Sequence, residues 1–458
     1  MPNAYADRYL GASENLELAR QIFGEMNKYP IISPHGHVAA SMILENKNFS
    51  DPVALLLTPD HYILRMLYSQ GVSYEKLAMN SPEDNFKLLA ENWRLFRSTP
   101  SRIWFHEILA TLFDVSEILA PENAMKIYDQ IAAKLQSPEY KPQALFKRFN
   151  IELLATTDST ADSLSSHIEL AKIDLGGRVI PTFRPDDVSD PDRPDWKASL
   201  EKLGEVYGIE IDSFARLLEA LRKARAHFKD CGATATDHGT FSARTLNLID
   251  SQCDSLFRKV ISDGATALEK DDFRAVMLFS HALMAADDGL VMQLHPGSLR
   301  NYDANILAKF GGDKGFDIPV ATTYTEELQP LLNAVGSHPN FRMVIFTLDE
   351  STYSRELAPL AGAYPSIRLG PPWWFNDSLN GLERWRDAIT ETAGYYNTVG
   401  FIDDTRAFAS IPVRHGVARR FDAGYLAREV SRQRITESEA MELAGDLAYN
   451  LSKEFFNL

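Results

Sequence analysis

The chain has 458 residues, 45% hydrophobic and 24% charged, in the range of an ordinary globular protein, which excludes disorder, collagen-like repeats and small disulfide scaffolds. Its 47 lysines and arginines against 63 aspartates and glutamates give a net charge of −16, which opposes nucleic acid or an anionic membrane as a partner. The length fits roughly three units of about 150 residues, or one large α/β barrel with an insertion.

In chain order, the recurring pattern is a short apolar run, a polar cluster that could bind or react, and an amphipathic stretch. Residues 29–33 (YPIIS) run into His35-Gly36-His37. LLATTD ends at Asp158, RVIPTFRPD passes Arg184 and Asp186, ATATDHG carries Asp237 and His238, and LVMQLH ends at His295. FRMVIFTLD, SIRLGPPWWF with Trp373 and Trp374, and TVGFIDDTR with Asp404 and Arg406 complete eight candidate strands. Amphipathic segments at 161–173, 200–228, 241–260, 325–335 and 379–395 separate the later strands, and residues 185–194, rich in Asp and Pro, read as a surface loop.

Strands alternating with helices indicate parallel βαβ units, and eight of them predict an α/β fold, a distorted (β/α)8 TIM-like barrel. The first strand has no Gly-rich phosphate loop, which argues against a doubly wound nucleotide fold. Residues 39–150 lack a good strand and are dense in Leu, Phe and Trp at helical spacing, so they read as a helical insertion after the first strand (1–38). Residues 151–420 then form the rest of the barrel, and two further amphipathic helices occupy 421–458. The opening MPNAYADRYL has no apolar leader, and no apolar run approaches the ~20 residues of a spanning helix. With only Cys231 and Cys253 available, a reducing cytoplasm is the expected location. A homo-oligomer is compatible with this length, but no interface signature stands out.

Catalytic groups of such a barrel sit at the C-terminal ends of its strands. His35 and His37, two apart, point to one side of a strand, so both imidazoles can converge on a divalent ion such as zinc. The competing reading is a pair of surface loop histidines. In a closed barrel the first and last strands are neighbours, which brings Asp404 to the same place. Arg184 and Arg406 offer planar forks that grip a carboxylate, although each also has an aspartate close by in sequence to pair with. Asp237, His238 and His295 add capacity for proton transfer, and each would otherwise be a hydrogen-bonded structural residue. Trp373 and Trp374 read as a sugar-stacking wall or as core.

Taken in order, HGH, TTDSTADSL, TFRPD, TDHG, QLHPGSLRN, WWFND and DDTRAFASIPVRHGVARR resemble the uronate isomerases (glucuronate isomerases) of the amidohydrolase superfamily, from about residue 30 to residue 420. The family pattern has Cys where Gly36 stands, Ser where Thr405 stands, and a different dipeptide at Ser33-Pro34; none of these changes removes a metal ligand or an arginine.

The resemblance implies interconversion of D-glucuronate with D-fructuronate and of D-galacturonate with D-tagaturonate. The route would be ring opening followed by a C2-to-C1 proton transfer through a cis-enediol, without nicotinamide. It implies metal ligation by His35, His37 and Asp404, and places His61, Tyr62, Arg184, Asp237, His295, Trp373, Trp374 and Arg406 at the site. Asp404 is then expected to assist ring opening. Tyr62, if an arginine lowers its pKa, or Asp237 would take the C2 proton, and Arg184 or Arg406 would hold the substrate carboxylate. Two other readings are a metal-dependent hydrolase of the same superfamily, against which WWFND and TFRPD argue, and a non-catalytic sugar-acid binding protein.

Overall fold

The computed structural model describes residues 7–10 and 15–458; residues 1–6, part of the opening stretch read as lacking an apolar leader, lie outside it. Its centre is a ring of short parallel strands. These are β1 (Ile31–Ser33), β2 (Ile151–Ala155), β3 (Asp158–Ser159), β4 (Arg178–Ile180), β5 (Phe183–Arg184), β6 (Ala235–His238) and β7 (Val291–Leu294). A short antiparallel pair, β8 (Ser298–Leu299) and β9 (Ile318–Pro319), follows the end of β7, and β10 (Met343–Ile345) and β11 (Ile367–Leu369) continue the ring.

The ladders run β1-β2-β4 at one level and β3-β5-β6-β7-β10-β11 at the next. The second and third predicted strands are therefore each broken in two, β2/β3 and β4/β5, and each break passes the chain from one sheet to the other. The eighth predicted strand is a correction: TVGFIDDTR pairs only through a parallel bridge between Leu369 and Thr398. No ladder joins it to β1 among the described residues. One step beyond the strand ends, His37 N donates to Thr405 O at 3.0 Å, which brings the eighth position beside the first. The architecture is a distorted (β/α)8 barrel.

Period-two alternation divides the side chains between inside and outside. Ala235, Val291, Val344 and Phe346 pack in one cluster, and Ile32, Leu153, Ala155 and Ile180 in another, filling the interior. Met292, Leu294, Met343 and Ile345 point outward onto the surrounding helices.

The helices depart from the sequence reading in five places. The 200–228 segment is two helices, Trp196–Tyr207 and Phe214–Asp230, because Gly208 ends the first in a left-handed conformation, φ +65°. Within 241–260 only Asp250–Ile261 is helical. The loop at 185–194 opens with a helical turn, Asp186–Ser189. Helix Ile411–Ser431 runs unbroken across residue 421, and a 22-residue helix, Ala267–Asp288, precedes β7 where none was read. Its apolar residues run almost continuously around the cylinder, so it shows no single-face periodicity.

Residues 39–150 fold as helices around an apolar cluster that includes Trp93, Phe96, Leu109, Phe113, Ile131 and Phe146. That cluster is continuous with Phe408 and Ile411 beyond the eighth barrel position, which seats the insertion beside the mouth. No helix among the described residues is long and apolar enough to cross a membrane.

Candidate active site

The C-terminal ends of the strands form one connected polar cluster. Asp404 Oδ1 lies 3.3 Å from His35 Nε2 and 3.1 Å from His37 Nε2. Asp404 reaches this position with φ +39°, an uncommon conformation for a non-glycine residue and one that clusters at functional sites. His35 is almost wholly buried, and the Asp404 side chain is 11% exposed. Burial pulls the pKa of both histidines down; at His35 the Asp404 and Asp237 carboxylates overcome it, whereas at His37 burial prevails. At Asp404 the charge and hydrogen bond of His35, followed by the hydrogen bond of His37, outweigh burial and hold the carboxyl well below the usual range.

These residues fit a divalent ion. The three ligand atoms lie within 4.8 Å of one another, and the two short separations match the ~3.3 Å expected between neighbouring ligands of a tetrahedral shell with bonds of about 2.0–2.2 Å. His35, Asp237 and His295 form a second group with ligand atoms equally close.

Asp237 is the hub of the next layer. Its Oδ1 accepts from His295 Nδ1 at 2.8 Å, and its Oδ2 faces Arg184 Nη1 at 3.3 Å. Burial would protonate it, but Arg184, His35 and His295 together keep it ionised, well below the usual carboxylate range. His295 stacks between Phe346 and His35, with ring centroids 4.1 and 4.6 Å away, and meets Trp373 edge-on at 4.8 Å. Burial lowers its pKa to about 4, so the imidazole is neutral. With Nδ1 committed to Asp237, the buried Nε2 has no hydrogen-bond partner.

The insertion contributes a third layer. Asp60 caps helix His61–Tyr68, its Oδ1 accepting from Tyr62 N at 3.0 Å and Ile63 N at 3.2 Å, which fixes His61 and Tyr62 in the first turn facing the barrel. Trp374 Nε1 donates to His61 Nε2 at 3.0 Å, and burial, reinforced by Arg406, lowers the His61 pKa to about 3. Trp374 holds φ +54°, a strained conformation for so bulky a side chain. The turn that delivers the tryptophans is closed by Gly381, where a Cβ would come within 1.9 Å of Asn376 O. Both tryptophans are buried, in contact with each other and with the residues they orient.

Tyr62 does not have the lowered pKa that the sequence reading allowed for it. Burial pushes its phenol well above 10; Arg414 opposes this, but Asp377, Asp404 and Asp60 add to it, so Tyr62 is a neutral hydrogen-bonding group. The two arginines are also unlike. Arg184 is held by Asp186 at 2.7 Å and by the buried Asp237 at 3.3 Å. Arg406 is 35% exposed and touches only Asp313, at 3.3 Å, among the ion pairs of the described residues. His238 points away from Asp237 to the outer side of the barrel, against Thr236 and His281.

Sequence reasoning missed Arg414. Its guanidinium donates to Asp377 Oδ2 at 2.7 Å and to Asp403 O at 3.1 Å, and lies 3.8 Å from the centre of the Trp104 ring. It thus ties the tryptophan loop, the eighth strand position and the insertion together. An arginine inside a helix gave no signal for that role. Asp313, in a glycine-rich loop, was likewise not singled out. At the family's Cys position, a Cβ on Gly36 would make ordinary contacts at 3.5 Å, so the backbone does not require glycine there.

Fold and site together define a barrel enzyme with a candidate divalent-metal centre and an arginine-lined mouth. Residues 1–456 match the family model described as glucuronate isomerase, and the chain belongs to that family. It is 49% identical over 450 residues to a uronate isomerase of Rhizobium meliloti (strain 1021), covering 96% of each chain. The structure aligns with that of glucuronate isomerase from Caulobacter crescentus at a TM-score of 0.97 and 45% identity, covering 98% of this chain and 96% of that one. It aligns with uronate isomerase from Thermotoga maritima at 0.94 and 29%, covering 98% and 99%. The chain is an intramolecular oxidoreductase that interconverts uronates in hexuronate catabolism.

Proposed function

We propose that the chain interconverts D-glucuronate with D-fructuronate and D-galacturonate with D-tagaturonate, with the chemistry carried by residues at the barrel mouth. The observation that carries this assignment is the convergence of His35, His37 and Asp404, the Asp237–His295 pair and an accessible Arg406 at one opening.

Arg406 binds the substrate carboxylate, because its fork remains accessible while that of Arg184 is occupied by the carboxylates of Asp186 and Asp237. Arg184 instead keeps Asp237 ionised. Asp404, an ionised carboxylate, takes the proton of the anomeric hydroxyl and returns it to the ring oxygen as the C1–O5 bond breaks. The open-chain aldose then loses its C2 proton to His295 Nε2, a neutral nitrogen with no partner, and Asp237 behind it stabilises the imidazolium that forms. The same nitrogen returns the proton at C1 while the O2 hydroxyl proton passes to O1 across the cis-enediol, giving the ketose. Tyr62, held neutral, donates a hydrogen bond to the substrate oxygens, and Trp373 and Trp374 fix His295 and His61 and line the mouth. His35, His37 and Asp404 would hold a zinc ion, which supplies Lewis-acid polarisation and orientation of substrate oxygens. No hydride leaves the substrate, so nicotinamide has no part in the reaction.

The test is incubation of purified protein with each uronate, the ketose being followed by a coupled NADH-dependent reductase, with and without prior chelation. Ketose from either uronate and little from neutral D-glucose is the expected result. No ketose from folded, zinc-supplied protein would refute the assignment. Loss of turnover on chelation and its return with zinc supports the metal centre.

A further inference from the structure

The assignment of the substrate carboxylate to Arg406 raises the question of what that guanidinium does when no substrate is present. Its partner is Asp313, through a single Nη1–Oδ2 approach of 3.3 Å, and the two side chains are 35% and 58% exposed. A one-point, half-exposed pair of this kind is weak, and a substrate carboxylate that engages the fork at two points can displace it.

Asp313 is delivered to this place by an anchored loop. It adopts φ +59° between Gly311 at +78° and Gly315 at +82°. The Tyr74 hydroxyl donates to Lys314 O. Asp317 accepts from Asn301 N at 2.6 Å and faces Arg300 at 3.4 Å, and the Arg300 guanidinium lies 4.9 Å from the centre of the Trp374 ring. Gly315 sits so close to helix His61–Tyr68 that a Cβ there would come within 2.8 Å of Arg65 Cβ and 2.9 Å of His61 O. The loop is thus docked on the element that presents His61 and Tyr62, with Asp313 at the mouth.

The surroundings of Asp313 are those of an anion site. Burial works against its ionisation, yet Arg406 first, and Arg300 and His37 after it, hold its carboxyl below the usual range. Asp313, a partly exposed carboxylate outside the metal trio, is therefore the anion that Arg406 faces.

We propose that Asp313 is a built-in counter-anion that occupies Arg406 until the carboxylate of a uronate displaces it. The exchange of one carboxylate for another also selects for acidic sugars, because a neutral aldose brings nothing to take the place of Asp313.

Asp313→Asn keeps the side-chain shape and a residue tolerant of the left-handed region while removing the charge. The KM for D-glucuronate is expected to fall about two- to fivefold, the range that an exposed pair supports, and the gain should shrink as salt rises. Arg406→Met should raise KM by about tenfold or more, and Asp313→Asn should add nothing in that background. Asp313→Ser repeats the charge test if the asparagine disturbs the loop. If Arg406→Met raises KM while both Asp313 variants leave it unchanged or higher, the counter-anion is overturned and the carboxylate assignment stands. If KM ignores Arg406→Met, the carboxylate assignment fails and the counter-anion with it.

Discussion

The insertion and the barrel mouth are neighbouring regions that use burial in opposite ways. Around Leu109, Phe96 and Ile131 the insertion buries apolar surface with few charges, and each buried methylene adds to stability. A few residues away, the mouth buries Asp237, His295, His35 and Asp404, groups whose charged forms are penalised by desolvation. What offsets that penalty is mutual pairing, which also sets protonation states: Asp237 ionised, His295 and His61 neutral, Tyr62 a phenol. The insertion supports, and the mouth reacts. The first turn of helix His61–Tyr68 is where the two meet, and Arg414 fastens them together.

Substitutions can break this division from either side. The largest expected effect is at the hub: Asp237→Asn removes the charge behind His295, and kcat should fall by about a hundred- to ten-thousandfold. A kcat within a few-fold of wild type, measured by the coupled ketose assay, would take the C2 proton transfer away from the Asp237–His295 pair. On the other side, Leu109→Ala opens a cavity at a fully buried site and should lower unfolding free energy by about 2–5 kcal/mol. Urea denaturation measures that loss, while kcat at a temperature where the variant is folded should stay near wild type. A variant that folds as well as wild type yet turns over poorly would place Leu109 in the chemistry rather than the support.

A smaller effect sharpens the contrast at the edge of the mouth. Asp158 accepts from the Thr156 hydroxyl at 2.6 Å, and burial pushes its carboxyl up to about 7. The folded state therefore keeps this proton where the unfolded chain has lost it. The resulting stability is fully present below the unfolded value near 3.8 and is lost as pH rises towards 7. Asp158→Asn, which cannot ionise, should gain in Tm relative to wild type as pH rises from 4 to 7, by a few degrees at most. A Tm difference that is flat or shrinks over that range would show that Asp158 is ionised in the fold.

How much of this was legible in the sequence follows from the same contrast. Strand ends carrying His35-x-His37, Asp237, His295 and Asp404 could be read because barrels place reactive groups there and because local spacing fixes which way side chains point. The return of His61 and Tyr62 to the mouth came from resemblance alone, since helical periodicity in the insertion records only its apolar face. Helix Ala267–Asp288 was missed because it is apolar on nearly every side. The splits β2/β3 and β4/β5 and the reduction of the eighth strand to a bridge depend on register between distant segments, which local pattern does not encode. Arg414 and Asp313 act through partners 37 and 93 positions away, Asp377 and Arg406, and neither spacing forms a motif.

The most direct test of the central claim sets the two regions against each other in one assay. Asp404→Asn and Leu109→Ala are compared with wild type for ketose formation from D-glucuronate, at a temperature where circular dichroism shows all three folded. The expected result is ketose from wild type and Leu109→Ala, with a loss of about a thousandfold or more for Asp404→Asn. Turnover by Asp404→Asn near that of wild type would contradict the assignment of the chemistry to the barrel mouth.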